Sequence, residues 1–121
     1  MAWKFRGDLP LSVQIVDILR RDILKGVYPP GDPFPTVRSL AEEAAVNPNT
    51  MQKALCLLEE EGLLVCTSTA GRRVIDDPEV IARARETERE RGIKRLIEDA
   101  RQMGISKSEL IRGIEEAFGD G

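Results

Sequence analysis

The chain contains no histidine and only two cysteines, Cys56 and Cys66. The missing histidines remove the commonest general base and the commonest metal ligand together. Two cysteines by themselves build neither a zinc site nor a disulfide framework. A glycine-rich loop of the kind that cradles phosphates is also missing, so no catalytic constellation assembles. No enzymatic activity, metal or cofactor is therefore expected. Long apolar runs are lacking too. The longest covers Ala54 to Leu58, whereas a bilayer span needs about 20 residues. The opening Met1-Ala2-Trp3-Lys4-Phe5-Arg6 does not place a cationic stretch before an apolar one, so no signal peptide is expected. A reducing cytoplasm is the simplest setting.

An excess of positive charge is missing as well. With 18 Lys and Arg against 21 Asp and Glu, the net charge is −3. Taken alone this argues against a nucleic-acid binder, because phosphate contacts need cations. Binding faces are local, however, and a Debye length of about 8–10 Å screens the far side of the molecule. What the 121 residues do hold is 41% hydrophobic and 32% charged. That suffices for one modest core under a well-solvated surface.

Residues 1–10 read as an extended lead-in. Leu11, Ile15, Ile18, Leu19 and Ile23 recur at helical spacing over 11–25, and Gly26 closes that helix. The proline-rich Val27–Pro35 predicts a loop, with helix and strand ladder both excluded. Thr36 is placed to cap a short second helix bearing Leu40, Ala41, Ala44 and Ala45. Asn47-Pro48 is a cap followed by a first-turn proline, and it opens a third helix carrying Met51, Ala54, Leu55 and Leu58 up to Gly62. Leu63–Cys66 and Arg72–Ile75 predict a two-stranded hairpin with its tip at Thr67–Gly71. Asp77-Pro78 starts a long helix with an all-polar stretch from Arg85 to Arg91, and Gly104 ends it. Ser106-Lys107-Ser108-Glu109 is a capping box for a last helix.

Three helices and a hairpin make a winged helix-turn-helix. The fold class is mainly α with a small β-hairpin, divided into a DNA-binding domain (1–76) and a two-helix C-terminal dimerisation region (77–121). Val46 plugs the corner between the second and third helices, and Ala44 and Ala45 are small because those helices cross closely. Outward on the third helix are Asn49, Thr50, Gln52, Lys53 and Cys56. Asn and Gln side chains hydrogen-bond base edges in pairs, and Thr bonds a phosphate or touches a thymine methyl. The amides at the helix start suit a phosphate. Arg38 is expected to pair with Glu42 in the free protein and with a phosphate in the complex. Glu42, Glu43 and Glu59 to Glu61 are expected to face away from DNA. The cysteines read as ordinary thiols, with redox sensing as the alternative. Trp3 and Phe5 read as a loose tail or as groups packing on a partner subunit, the latter preferred.

Gly31-Asp32-Pro33-Phe34-Pro35-Thr36-Val37-Arg38-Ser39-Leu40-Ala41 resembles the signature loop and second helix of GntR-family bacterial transcription regulators. Val46-Asn47-Pro48-Asn49-Thr50-Met51-Gln52-Lys53-Ala54 is similar to the recognition helix of the family's YtrA-like subfamily, and Leu58-Glu59-Glu60-Glu61-Gly62-Leu63-Leu64 to its helix-to-strand junction. The resemblance spans about residues 8–75 and implies a dimeric regulator with its recognition helix in the major groove and its wing at the minor groove. It places Arg38, Asn47, Pro48, Asn49, Thr50 and Gln52 at contact positions, and Thr69, Ala70 and Gly71 at the wing tip. Two departures stand out: the wing lacks the family's basic residue between glycines, and Thr67 and Ser68 stand where arginine is usual. Minor-groove contact by the wing is then either lost or shifted to Arg72. The candidate DNA-binding set is Thr36, Arg38, Asn47, Pro48, Asn49, Thr50, Gln52, Lys53, Thr69, Gly71 and Arg72.

The stripe Ile93, Leu96, Ile97, Ala100 and Met103, continued by Leu110, Ile111, Ile114 and Phe118, is too apolar for two helices to hide. A two-fold contact with a second chain is the simplest cover. The expected function is a sequence-specific regulator, a repressor rather than an activator, binding a palindromic operator as a homodimer. The resemblance suggests a transporter operon as target. Two helices are not expected to enclose an effector pocket of about 300 Å³, and no effector is identified. The alternative is a winged helix that contacts a protein rather than DNA.

Overall fold

Apart from the start of the first helix at Pro10, which has no side-chain cap, the helix boundaries rest on local hydrogen bonds. The structure is a computed structural model, and it describes residues 3–67 and 71–119. Helix α1 is Leu11–Lys25, strand β1 Pro33–Phe34, helix α2 Val37–Ala44 and helix α3 Pro48–Glu60. Strands β2 (Leu64–Cys66) and β3 (Arg72–Val74) follow, then helices α4 (Pro78–Gln102) and α5 (Lys107–Phe118). Gly26 closes α1 in the left-handed region at φ 85°, and the Val27 amide reaches back to the Asp22 carbonyl at 2.9 Å. The Thr36 hydroxyl accepts from the Ser39 amide at 3.1 Å, and the Asn47 carboxamide from the Asn49 amide at 2.7 Å. The predicted capping box at Ser106 and Glu109 forms with both bonds present.

The turn between α2 and α3 is where the small residues part company. Ala44 is buried, as close crossing requires, but Ala45 is exposed. Ala45 is small for a different reason: it sits at φ 57°, ψ 46°, the only non-glycine among the described residues with positive φ. There a Cβ crowds the following carbonyl, a cost of roughly 1–2 kcal/mol. Part of that is offset because alanine narrows the unfolded ensemble. Ala45→Gly should therefore raise stability by about 0.5–1 kcal/mol in denaturant unfolding. A loss of stability would mean that the unfolded-state term outweighs the strain.

The sheet corrects the sequence reading. It has three antiparallel strands in the order β1-β3-β2, and the proline-rich loop supplies one of them. Pro33 lies opposite Arg73 and Phe34 opposite Arg72. Proline is tolerated because β1 is a two-residue edge strand. The adjoining bonds are made by its neighbours: the Gly31 amide donates to the Val74 carbonyl, and the Val74 amide to the Asp32 carbonyl, each at 3.0 Å. Phe34 then drops into the core against Tyr28, with ring centroids 4.7 Å apart.

Ile15, Leu19, Met51, Leu55 and Leu58 are fully buried where α1 meets α3. Arg20 ties the same two helices at their far end. Its guanidinium grips both Glu61 oxygens at 2.7 and 2.6 Å and reaches Asp17 at 2.7 Å. Gln14 holds the lead-in: its carboxamide accepts from the Arg6 amide and donates to the Arg6 and Leu9 carbonyls. Trp3 and Phe5 accordingly pack on this chain's own core, with rings 6.0 Å apart, in place of a loose tail.

The chain divides into two compact units, Met1–Ala84 and Arg85–Gly121, so the boundary falls inside α4. In the first unit, Ile81 and Ala84 from the start of α4 join the core cluster. In the second, Ala100 is buried while Ile93, Leu96, Ile97, Met103, Ile111, Ile114 and Phe118 are exposed. An apolar groove of about 550 Å³ runs along Leu96, Ile97, Leu110, Ile111 and Ile114. This volume is an open groove between the two helices and not an enclosed pocket.

Candidate nucleic-acid interface

Helix α3 sorts its side chains by the helical period. Met51, Ala54, Leu55 and Leu58 turn inward, while Asn49, Gln52 and Lys53 are exposed and Thr50 is half-buried. Asn49, Gln52, Cys56 and Glu59 stand three, four and three residues apart, on one ridge. The exposed Asn47 and Pro48 begin the helix. Because the Asn47 side chain already accepts from the Asn49 amide, its role in starting the helix is direct. Thr36 uses its oxygen as an acceptor in the same way, which leaves its hydroxyl proton to donate to a phosphate.

Among the described residues Arg38 makes no ion pair, and neither does Lys53; both are exposed. The expected Arg38–Glu42 pair does not form. An exposed i, i+4 pair is worth only about 0.3–0.5 kcal/mol, too little to hold two long side chains. Gln52 donates weakly to the Cys56 sulfur at 3.6 Å, which leaves its carbonyl oxygen open. Cys56 is half-buried and Cys66 exposed, both as free thiols.

Strands β2 and β3 are joined at the Thr67–Gly71 end, where the Thr67 amide and hydroxyl both donate to the Gly71 carbonyl at 3.0 and 3.1 Å. Gly71 is exposed at φ 104°, a backbone that favours glycine. Thr69 and Ala70 lie outside the described residues. Arg72, the candidate wing contact, has a side chain only 13% exposed and pairs with Glu59 of α3. Its Nη2 also lies 3.8 Å from the Cys56 sulfur. Arg73 takes the opposite side of the strand, exposed, donating to the Gly31 carbonyl at 3.0 Å. Strand alternation carries this signal, since Arg72 shares a face with the buried Val74.

The glutamates divide. Glu61 is held by Arg20, away from the ridge. Glu59, expected to face away, lies on the ridge of Asn49 and Gln52 with Arg72 as its counter-charge. Helical spacing from Asn49 shows its position, but nothing local reveals its partner 13 residues on.

Residues 11–74 match the family described as bacterial regulatory proteins, gntR family. The chain belongs to the GntR family. It is a DNA-binding transcription regulator, not an enzyme, and the reading as a protein-contact module is set aside. The Bacillus subtilis repressor YtrA is 32% identical over 116 residues, covering 95% of this chain and 89% of that protein. Among solved structures, a GntR-family regulator from Listeria monocytogenes superposes with a TM-score of 0.84 at 28% identity, over 93% of this chain and 98% of that one. YtrA from Sulfolobus acidocaldarius, also a GntR-family transcription factor, gives 0.56 at 26% identity, over 99% and 97%. These likenesses support the YtrA-like resemblance drawn from the recognition helix. Among the described residues no helix is long and apolar enough to cross a membrane.

Proposed function

We infer that this GntR-family chain is a cytoplasmic repressor that binds a palindromic operator as a homodimer, with a transporter operon as the target class. The observation that carries the reading is the exposed row of Asn49 and Gln52 on α3, with Asn47, Pro48 and Thr50 at the helix start, together with two exposed, uncompensated cations, Lys53 on the same helix and Arg38 on α2. Amide side chains read base edges, and the cations hold phosphates. Thr36, Thr69 and Gly71 complete the proposed contact set. The B. subtilis relative is named as a repressor, which favours repression over activation.

The exposed stripe of the second unit supports the dimer. Ile93, Leu96, Ile97, Ile111, Ile114 and Phe118, with the half-buried Leu110 and the buried Ala100 lining the groove among them, are the proposed interface. A second copy in the groove would remove this surface from water and present two recognition helices to half-sites about 34–36 Å apart.

The test is binding to a duplex enriched from a random pool by the wild-type chain, against a scrambled duplex, across a salt series. Affinity for both should fall steeply with salt. Asn49→Ala should cost about 1–3 kcal/mol on the enriched duplex and little on the scrambled one, whereas Lys53→Ala should weaken both alike. Equal losses for Asn49→Ala on the two duplexes would show that Asn49 does not read bases.

A further inference from the structure

Arg72 is the cation that sequence places nearest the wing tip, yet in the structure its guanidinium turns into the protein. Its side chain is 13% exposed, and that of its partner Glu59 is 29% exposed. The guanidinium reaches two groups on α3, the Glu59 carboxylate and the Cys56 sulfur. Both lie on the ridge that carries Asn49 and Gln52, and Gln52 itself touches Cys56. Asn49 to Glu59 spans about 15 Å of helix. One end of the ridge is free for DNA and the other is bound to the wing.

The strand that carries Arg72 has leverage. β3 is the central strand, and Arg72 lies opposite Phe34 of β1 and Cys66 of β2. Holding Arg72 to α3 therefore sets the whole three-stranded sheet against the recognition helix. A phosphate that captured Arg72 would have to leave Glu59 without its counter-charge, on the ridge facing the duplex.

We propose that Arg72 is a positioning residue, which with Glu59 fixes the wing to the recognition helix and does not itself contact DNA. This rests on the DNA-binding reading above. The two roles predict opposite signs for one substitution. If Arg72 positions the wing, Glu59→Gln loosens it and weakens binding. If Arg72 is a phosphate contact restrained by Glu59, Glu59→Gln releases it and tightens binding.

The experiment measures Glu59→Gln, Arg72→Gln, Arg72→Lys and the Glu59→Gln/Arg72→Gln double variant on the wild-type-enriched duplex across a salt series, with folding checked by circular dichroism. Each single variant should lose affinity by about three- to tenfold, and the double should lose no more than the worse single, as for residues in one network. Arg72→Lys should fall with the others, because an ammonium keeps the charge but not the fork. The slope of log affinity against log salt should stay at the wild-type value. Tighter binding by Glu59→Gln, a slope shallower by about 0.9 per chain in Arg72→Gln, unchanged affinity in the singles, or wild-type affinity in Arg72→Lys would each overturn the proposal. Should Arg72→Gln fail to fold, Glu59→Gln and Arg72→Lys decide it. A wild-type chain that enriches no duplex sinks the DNA-binding reading itself; binding by wild type with the wrong sign in Glu59→Gln sinks only the role of Arg72.

Discussion

Ile97→Asp is expected to leave the chain monomeric at micromolar concentration and to lower its affinity for a two-half-site duplex by about 100-fold or more. Ile97 lies mid-stripe, 38% exposed, among Ile93, Leu96, Ile111 and Ile114, which are exposed to similar degrees. If a second copy covers that stripe, the aspartate becomes a buried charge with no partner, a substitution dimers tolerate poorly. DNA affinity falls with it because two half-sites gripped by linked modules gain about 10²–10⁴ over one. The first unit should be untouched, since Ile97 belongs to the second. Light scattering and a duplex carrying a single half-site separate the effects: the variant should scatter as a monomer and bind the single half-site as wild type does. A wild-type chain that is already monomeric would defeat the dimer.

The second large effect is on folding. Leu55 is fully buried on α3, whereas Leu57, two residues away, is only half-buried. Leu55→Ala should cost about 2–5 kcal/mol, from lost transfer energy and the cavity left at the α1–α3 contact. Leu57→Ala should cost about 1 kcal/mol or less, in keeping with a partly wet side chain. Against a usual total of about 5–15 kcal/mol, the first change is enough to populate unfolded chain at growth temperature. Urea unfolding of the two variants checks this. Equal costs would mean that α3 does not bury the face its periodicity indicates.

The contrast between those two leucines shows what kind of information a sequence carries openly. Thr36, Asn47-Pro48 and the Ser106–Glu109 box each satisfy amides within three residues of themselves. Helical spacing alone separates Leu55 and Leu58 from Asn49 and Gln52, and so marks the candidate reading face. The family resemblance rests on those same short motifs.

What stays hidden involves partners far apart in the chain. Pro33–Phe34 looks unfit for any ladder until β3, some 40 residues later, offers an edge. Trp3 and Phe5 have no visible place until the core they cover exists. Ala45 looks like a packing residue because a left-handed backbone leaves no trace in composition. Arg38 and Glu42 have ideal spacing and no pair, while Arg72 and Glu59 have no spacing rule and a pair.

Sequence by itself determined where the helices begin and end, which of their faces are apolar and which residues α3 turns outward, because caps and periodicity act within one or two turns. Only the tertiary structure decided which charges are neutralised inside the molecule and which stay open to a phosphate. Ion pairing depends on where the folded path brings a second side chain, and no local rule contains that distance.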